Sequence, residues 1–210
     1  DIDLPASLRE QGEVLRRRIG ADRAIWVAAS THVGEEEQVL QAYHQVLKAI
    51  PDCLLVLVPR HPDRADDVVV LCRQQGFEPL RRTTENGAEE VKDIYLVDTL
   101  GELTQFFAAC DVAYIGGSLV PIGGHNMIEA SALGKAVVFG PHLFNFQEIS
   151  TQLLEADAAR IVHDSDALAG AISELLGDAN LRHQLGQNGR QFIESNRGAL
   201  QRLIALIESC

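Results

Sequence analysis

The chain has 210 residues, 46% of them hydrophobic and 5% aromatic, which is enough to bury one large core. This composition is typical of a globular protein with aliphatic strands and alanine-rich helices, and it excludes a disordered or fibrous chain. With 30 acidic residues against 18 basic ones, the formal charge is −12. That balance disfavours broad contact with nucleic acid or an anionic membrane surface, although local sites for small anions stay open.

The cysteines and the apolar runs predict a cytosolic chain. The four cysteines show no CxxC spacing, and Cys53, Cys72 and Cys110 lie in apolar runs where a reduced thiol behaves as a small hydrophobe. No run approaches the ~20 apolar residues of a membrane span. The start, "DIDLPASLRE", has neither an initiator Met nor a signal-type apolar region, so we expect the chain to be part of a longer protein.

Short, continuous apolar segments rich in β-branched residues are predicted as strands buried on both faces. In chain order they are Ala24–Ser30, Cys53–Arg60, Ile94–Asp98, Asp111–Gly117, Ala136–Pro141 and Ala158–Val162. Helical patterns separate them, and the alternation predicts an α/β fold, a Rossmann-like parallel sheet with helices on both faces. In such a sheet ligands bind at the carboxyl ends of the strands.

Several local signals place the helices. The stripe formed by Val39, Tyr43, Val46, Leu47 and Ile50 predicts one amphipathic helix, and Glu35 to Glu37 are predicted to complement its N-terminus. A helix is also predicted after Pro62, with a strand at Val68–Val70 as the alternative. The polar stretch Arg82–Asp93 is predicted as an excursion. After Asp164 the chain is predicted to be helical to its end, with a last apolar stripe at Leu200, Leu203, Ile204 and Ile207.

The stretch "GGSLVPIGGHNMIEA", Gly116–Ala130, leaves a predicted strand and enters a predicted helix near Asn126. Bare glycines and the free N–H groups of a helix start let a phosphate or a pyranose approach the backbone. Asn126 and Glu129 are spaced i, i+3 and face one side, where the carboxylate could accept bonds from the vicinal hydroxyls of a ribose. The alternative is a tight turn in which Asn126 caps the helix and Glu129 complements its dipole.

Two other strand ends carry candidate ligand groups. Arg60 ends a strand and offers a planar guanidinium to a phosphate, with an ion pair to Asp63 as the alternative. In "TLGEL", Thr99 and Glu102 have capping-box spacing, while Gly101 leaves room for main-chain contact with a base edge.

Histidines and serines also follow the strands. His32, His61, His125 and His142 could converge, but their spacing does not predict a metal site. Ser30, Thr31 and Ser118 lie at the same edge without a G-x-S-x-G elbow. The first strand runs into "ASTHVGEEE" rather than G-x-G-x-x-G, which argues against a nicotinamide enzyme.

Five motifs follow one another along the chain: "STHVGEEE", "VPRHPDR", "LGEL", "GGSLVPIGGHNMIEASALGKAVVFGPHLFNFQEI" and "NRGALQRL". In this order they resemble the C-terminal half of the 3-deoxy-D-manno-octulosonic acid (Kdo) transferase family. The resemblance implies a GT-B glycosyltransferase, with two Rossmann-like domains that face a cleft. It implies an interdomain linker and first helix at 1–20, a CMP-Kdo binding domain at 21–195, and a last helix at 196–210 that crosses to the N-terminal domain.

The resemblance also implies an activity, the transfer of Kdo from CMP-Kdo to a lipid A precursor at the cytoplasmic face of the bacterial inner membrane. The general base, the acceptor site and the membrane contact would belong to the N-terminal domain, so this chain alone is expected to bind nucleotide without turnover. No metal, cofactor or nucleic acid is implied. The alternatives are a GT-B domain for another nucleotide sugar and a non-catalytic interaction module.

The family's CMP contacts match positions at three strand ends, and Met127 stands where the family commonly has Pro. The motif also makes a further set of residues candidates for contact with the donor. The CMP positions are Pro59, Arg60, Leu100, Gly101, Glu102, Asn126, Met127, Ile128 and Glu129, and the donor candidates are Ser118, Gly123, Gly124 and His125.

Overall fold

The computed structural model describes residue 5, residues 7–86 and residues 91–196, which form a seven-stranded sheet flanked by helices. All paired strands are parallel, in the spatial order β3-β4-β2-β1-β5-β6-β7. The strands are β1 (Ile25–Thr31), β2 (Leu54–Pro59), β3 (Leu80–Arg81), β4 (Ile94–Leu96), β5 (Val112–Ile115), β6 (Ala136–Phe139) and β7 (Ala159–Ile161).

The strand order reverses its direction next to β1. From β1 the chain builds outward through β2, and it later returns to place β5 on the other side of β1. In an open parallel sheet, a crevice opens at the carboxyl ends of the two strands that flank such a switch point. The loops after β1 and β5 therefore face each other across this crevice.

Helices cover both faces of the sheet and bury two apolar layers. One layer packs the side chains of Trp26, Leu57 and Tyr114 against α2, α3 and α7. The other packs those of Val27 and Val56 against α1, α4 and α6. The helices are α1 (Leu8–Gly20), α2 (Glu36–Ala49), α3 (Ala65–Gln74), α4 (Leu103–Ala109), α5 (Ile128–Ala132), α6 (Gln147–Glu155), α7 (Ser165–Gly177) and α8 (Ala179–Asn196).

The sequence prediction of a parallel α/β sheet is confirmed, and each of the six predicted strands is present with shorter ends or ends shifted by one residue. The short strand β3 was not predicted, because two half-buried residues carry no periodic signal. The alternative strand at Val68–Val70 is wrong. These residues lie in α3, where Val68 and Val69 are buried and Val70 faces solvent, as an amphipathic helix requires.

Some predictions fall partly outside the described residues. In the stretch 82–93, residues 82–86 form a turn after β3, and residues 87–90 lie outside the description. The same holds for the predicted stripe Leu200, Leu203, Ile204 and Ile207, and the division at residues 20 and 195 stays a prediction. Of the helices in the described part of the chain, none is both long and apolar enough to cross a membrane.

The thiols of Cys53, Cys72 and Cys110 are buried and free. Burial raises the pKa of each to about 12, so these side chains are neutral and pack as small hydrophobes.

Candidate functional site

The loops after β1, β2, β4 and β5 bring the predicted site residues to one edge of the sheet. The Arg60 N–H donates to the Thr31 carbonyl at 3.0 Å, and the Gly116 N–H donates to the Ala29 carbonyl at 2.7 Å. A hydrogen bond from Thr104 to Glu129 joins the helices α4 and α5 beside this edge. The convergence that the strand pattern predicted is therefore present, at the switch point between β1 and β5.

A fully buried carboxylate, that of Glu35, holds the glycine-rich loop after β5. Its oxygens accept hydrogen bonds from the backbone N–H groups of Gly117 at 2.7 Å and of Ser118 and Leu119 at 3.0 Å each. The Tyr114 hydroxyl donates to it at 2.6 Å. Successive N–H groups that point at one anion form a nest, and here the anion belongs to the protein itself.

This contact changes the interpretation of two parts of the sequence, Glu35 and the glycine-rich loop after β5. Glu35 was expected to complement the N-terminus of α2, but its carboxylate instead crosses the crevice to the loop after β5. The glycine-rich loop was expected to let a ligand approach its backbone, but its N–H groups at residues 117–119 are already bonded to Glu35. The sequence could not separate Glu35 from its neighbours, because three successive glutamates at a helix start give one and the same pattern.

The glycines of this loop are explained by close packing within the protein. A Cβ at Gly116 would lie 2.7 Å from the carbonyl oxygens of Ala29 and Ser30 and 2.9 Å from Glu35 Oε2. A Cβ at Gly123 would lie 2.5 Å from Phe144 Cε2. The loop therefore packs closely against β1 and the β6–α6 connection. Protein atoms already occupy the space beside Gly116 and Gly123, so these two glycines do not make room for a ligand.

Ser118 and Met127, both predicted contact residues, are closed off from solvent. Ser118 is fully buried, and its hydroxyl donates to the Ile115 carbonyl at 2.5 Å and accepts from the Gly140 N–H at 2.7 Å. Met127 is also fully buried, in the layer beneath α5. Neither residue offers surface to a ligand in this structure, so both support the loop from beneath.

Two imidazoles meet in the crevice. The Nε2 atoms of His32, after β1, and His125, after β5, lie 2.7 Å apart, and the two rings are nearly parallel. The ring of His61 stands edge-on to His32, with 5.8 Å between centroids. His142 does not join them but donates its backbone N–H to the Ser118 carbonyl. Three of the four histidines predicted to converge therefore do so.

Arg60 is an exposed cation at the end of β2, directly after the buried Pro59. No ion pair to its guanidinium is present among the described residues, so the alternative pairing with Asp63 is not observed. The neighbouring Arg64, which the sequence did not single out, pairs instead with the buried Glu36 at 3.0 Å. Burial raises the pKa of Glu36, and the hydrogen bond and charge of Arg64 oppose that effect.

Asn126 and Glu129 face each other at the start of α5, as their spacing predicted. The Asn126 side-chain oxygen accepts the Ile128 N–H at 3.0 Å, and its amide nitrogen donates to Glu129 Oε1 at 3.4 Å. The other Glu129 oxygen accepts from the Thr104 hydroxyl at 3.1 Å. The alternative in which Asn126 caps the helix is wrong, because Met127 is the N-cap residue of α5, although Glu129 does lie in the first turn. The Asn126 side chain still occupies one N–H that was expected to face a ligand.

Gly101 and its neighbours form an open corner before α4. Leu100 is 76% exposed, and a Cβ at Gly101 would meet nothing within 4 Å. Since α4 begins at Leu103, with Glu102 as its N-cap residue, the capping box from Thr99 is wrong. The Glu102 carboxylate accepts from Arg82 at 2.9 Å and from Thr99. Burial acts to raise the pKa of Glu102, but these two hydrogen bonds outweigh it and lower the pKa.

Ser30 adopts a backbone conformation that L-residues rarely take, with φ of 57°, at an irregularity in the β1–β2 pairing. Such strain costs about 1–3 kcal/mol and is concentrated at functional sites. It turns the chain from β1 toward His32 and Glu35. No sequence pattern predicts this strain.

A groove of about 320 Å³ lies between α1 and α4, and Glu102 is the predicted site residue in its wall. Arg18, Arg82 and the apolar side chains of Val14 and Phe106 also line it. Among the described residues, no group of three or more His, Cys, Asp or Glu side chains is arranged to hold a metal ion.

A parallel sheet with helices on both faces and a polar crevice at its switch point defines a Rossmann-like domain of the GT-B glycosyltransferase type, as predicted. No family model matches the sequence. The 3-deoxy-D-manno-octulosonic acid transferase of Haemophilus influenzae is 40% identical over 209 residues, which are 99% of this chain and 49% of that protein. The enzyme of the same name from Bordetella pertussis is 32% identical, over 99% of this chain and 49% of its own length.

A solved structure gives a match over a whole domain. The C-terminal CMP-Kdo binding domain of WaaA from Acinetobacter baumannii aligns with a TM-score of 0.83 and 30% identity, covering 89% of this chain and 98% of that one. The chain therefore belongs to the 3-deoxy-D-manno-octulosonic acid transferase family and corresponds to its C-terminal domain. It spans about half the length of the curated relatives that it matches.

Proposed function

We propose that this chain is the donor-binding half of a Kdo transferase. The full protein would move Kdo from CMP-Kdo to a lipid A precursor at the cytoplasmic face of the bacterial inner membrane. The observation that carries the proposal is the match over almost the whole length of a domain described as CMP-Kdo binding. The exposed Arg60 and the Asn126–Glu129 pair at the crevice support it from the geometry.

Arg60 is proposed to hold the phosphate of CMP. Its guanidinium is exposed at the carboxyl edge and has no carboxylate partner among the described residues, so its donors are available to an anion. When the bond from the sugar to the phosphate breaks, CMP leaves as a phosphate monoester and gains negative charge. A fixed guanidinium stabilises that charge as it develops, which lowers the barrier.

Glu129 and Asn126 are proposed to bind the ribose of CMP. The Glu129 carboxylate is half-buried and fixed by Thr104 and Asn126, so its orientation is set before a ligand arrives. Two adjacent hydroxyls of a ribose can donate to one carboxylate. The cytosine is proposed to lie against the open backbone at Leu100–Glu102, where no side chain stands over Gly101.

The acceptor hydroxyl needs a general base, and we propose that the other half of the full protein supplies it, together with the lipid contact. This chain then contains the groups that bind and stabilise the leaving nucleotide. It is accordingly expected to bind CMP and CMP-Kdo without turnover.

Isothermal titration of the chain with CMP tests the proposal. Arg60→Gln should weaken CMP binding by about 10-fold to 100-fold, since a charged hydrogen bond contributes about 1.5–3 kcal/mol. The matched control is Arg17→Gln, an exposed arginine in the last turn of α1. Glu129→Gln should weaken binding of CMP more than that of its 2′,3′-dideoxy analogue, which lacks the ribose hydroxyls.

Three results would contradict the proposal. They are the absence of CMP binding to the wild-type chain, equal affinities for the wild-type, Arg60→Gln and Arg17→Gln chains, and displacement of CMP by low concentrations of UDP or GDP. The last result would instead assign the domain to another nucleotide sugar.

A further inference from the structure

The imidazoles of His32 and His125 form a pair that must share one proton. Their Nε2 atoms are 2.7 Å apart, so in the neutral pair one Nε2 donates a hydrogen and the other accepts it. One Nδ1 then carries a hydrogen and the other carries a lone pair. Within residues 7–86 and 91–196, neither Nδ1 forms a hydrogen bond, so the pair keeps donor and acceptor capacity for something outside it.

Cationic groups and one carboxylate lie beside the pair. The β2 loop contributes the charge of Arg60 and the edge-on ring of His61, and Arg64 lies near, paired with Glu36. The carboxylate that faces the pair is that of Glu35.

Glu35 does not neutralise this charge by a side-chain contact with either imidazole. Its oxygens accept hydrogen bonds from the amides of the glycine-rich loop, from the Tyr114 hydroxyl and, at 3.2 Å, from the backbone N–H of His32. The crevice therefore presents three imidazoles and the guanidinium of Arg60, and among the described residues no carboxylate accepts a side-chain hydrogen bond from either imidazole of the pair.

Burial favours the neutral form of both imidazoles. Burial, together with the charges of His32, Arg60 and His61, lowers the pKa of His125 to about 4. Burial also lowers the pKa of His32, against the opposing charge of Glu35. An anion in the crevice would remove much of the cost of a second proton.

We propose that His32 and His125, with Arg60 and His61 beside them, form a proton-linked site for the anionic group next to the reacting carbon of the donor. This inference rests on the proposed function and adds to it a partner for the donor's charge. The site takes one proton from solvent as the anion enters and returns it as the anion leaves. The shared chemistry is a phosphate or carboxylate oxygen, which CMP and Kdo respectively supply.

The sign of the pH dependence follows from the direction of the pKa change. An anion near the pair raises the pKa of His125, so the complex binds more protons than the free chain. Affinity must then rise as the pH falls through the pKa of the complex, until the pKa of the free chain is reached. One unit charge about 5 Å away at an effective dielectric constant near 20 would move the pKa of His125 from about 4 to about 6. At pH 6 about half a proton is then taken up per anion bound.

Titration calorimetry of CMP at pH 6 in MES and in Bis-Tris measures this proton uptake, because the two buffers differ in ionisation enthalpy. The wild-type chain should take up about half a proton more than His125→Gln or His32→Gln, and His163→Gln, an exposed histidine after β7, should match the wild type. The phosphate of CMP itself titrates near this pH and is coupled to the imidazoles, so the NMR titration below assigns the proton to His125. Cytidine, which has no anionic group, should show no histidine-dependent uptake.

Two further experiments use only the wild-type chain. One identifies the anion, and the other measures the pKa of His125 directly. Uptake with CMP alone assigns the site to the phosphate, whereas uptake that needs Kdo together with CMP assigns it to the carboxylate, and either result supports the site. NMR titration of the wild-type imidazoles should show the pKa of His125 rising on addition of the ligand.

The outcomes separate this inference from the proposed function. CMP binding with equal proton uptake in all four chains, and with an unchanged pKa of His125 when CMP and Kdo are both present, overturns the inference and leaves the proposed function standing. Absence of CMP binding at every pH between 5.5 and 7.5 overturns both.

Discussion

Replacement of Glu35 by glutamine keeps the size of the side chain but removes one of its two acceptor oxygens. Oε1 accepts from Tyr114, Ser118 and Leu119, while Oε2 accepts from Gly117 and His32. If the new NH₂ group takes the position of Oε2, two N–H groups lose their acceptor and face another donor. Each buried donor without a partner costs about 1–3 kcal/mol. The expected loss is therefore about 2–6 kcal/mol, a large part of the ~5–15 kcal/mol that stabilises a domain.

Urea denaturation, followed by the fluorescence of the single tryptophan, Trp26, measures this loss. Trp26 is fully buried in the core, so its emission reports global unfolding. The matched control is Glu37→Gln in the first turn of α2. Glu37 Oε2 is buried with no hydrogen-bond partner among the described residues, so this change should keep or raise the free energy of unfolding. A Glu35→Gln chain within ~0.5 kcal/mol of wild type would refute the anchoring role of Glu35.

Two further predictions concern the same edge of the sheet. Gly116→Ala places a methyl group 2.7 Å from two carbonyl oxygens and should lower the free energy of unfolding by ~2 kcal/mol or more, whereas Gly170→Ala, in the open interior of α7, should raise it by ~0.5–1 kcal/mol. Thermal melts of both chains check this, and equal shifts would contradict the packing argument. Arg64→Met leaves the buried Glu36 without its ion pair and should cost ~3 kcal/mol at pH 7. Because burial raises the pKa of Glu36, protonation of Glu36 at lower pH should relieve that cost. Arg64→Met should therefore lower the urea midpoint less at pH 5 than at pH 7, and an equal decrease at both pH values would contradict this prediction.

Much of the fold could be predicted from local patterns. Continuous apolar runs such as Leu54–Pro59 are buried on both faces of a parallel sheet, and this leaves a direct trace in the sequence. The acidic residues Glu36 and Glu37 mark the start of α2 in the same way. The pattern failed at β3, which is two residues long and half-buried, because pairing with β4 rather than local preference defines that strand.

The candidate site was predicted less completely. Asn126 and Glu129 face each other because residues three apart in a helical turn share a side, and that relation is local. Arg60 lies at the carboxyl edge because the end of β2 places it there. The partners of these residues were beyond the sequence pattern, since Thr104 reaches Glu129 from another helix and Arg82 reaches Glu102 from the turn after β3.

The amino-acid sequence by itself determined the alternation of strands and helices, the edge of the sheet where ligand groups collect and, through its motifs, the family. Only the tertiary structure decided which groups at that edge are free. The glycine-rich loop looked open to an anion, yet Glu35 fills its nest, and the free capacity lies instead at Arg60 and at the His32–His125 pair. The physical reason is that hydrogen-bond satisfaction depends on contacts across about 80 to 90 residues of chain, and a local pattern carries no information about them.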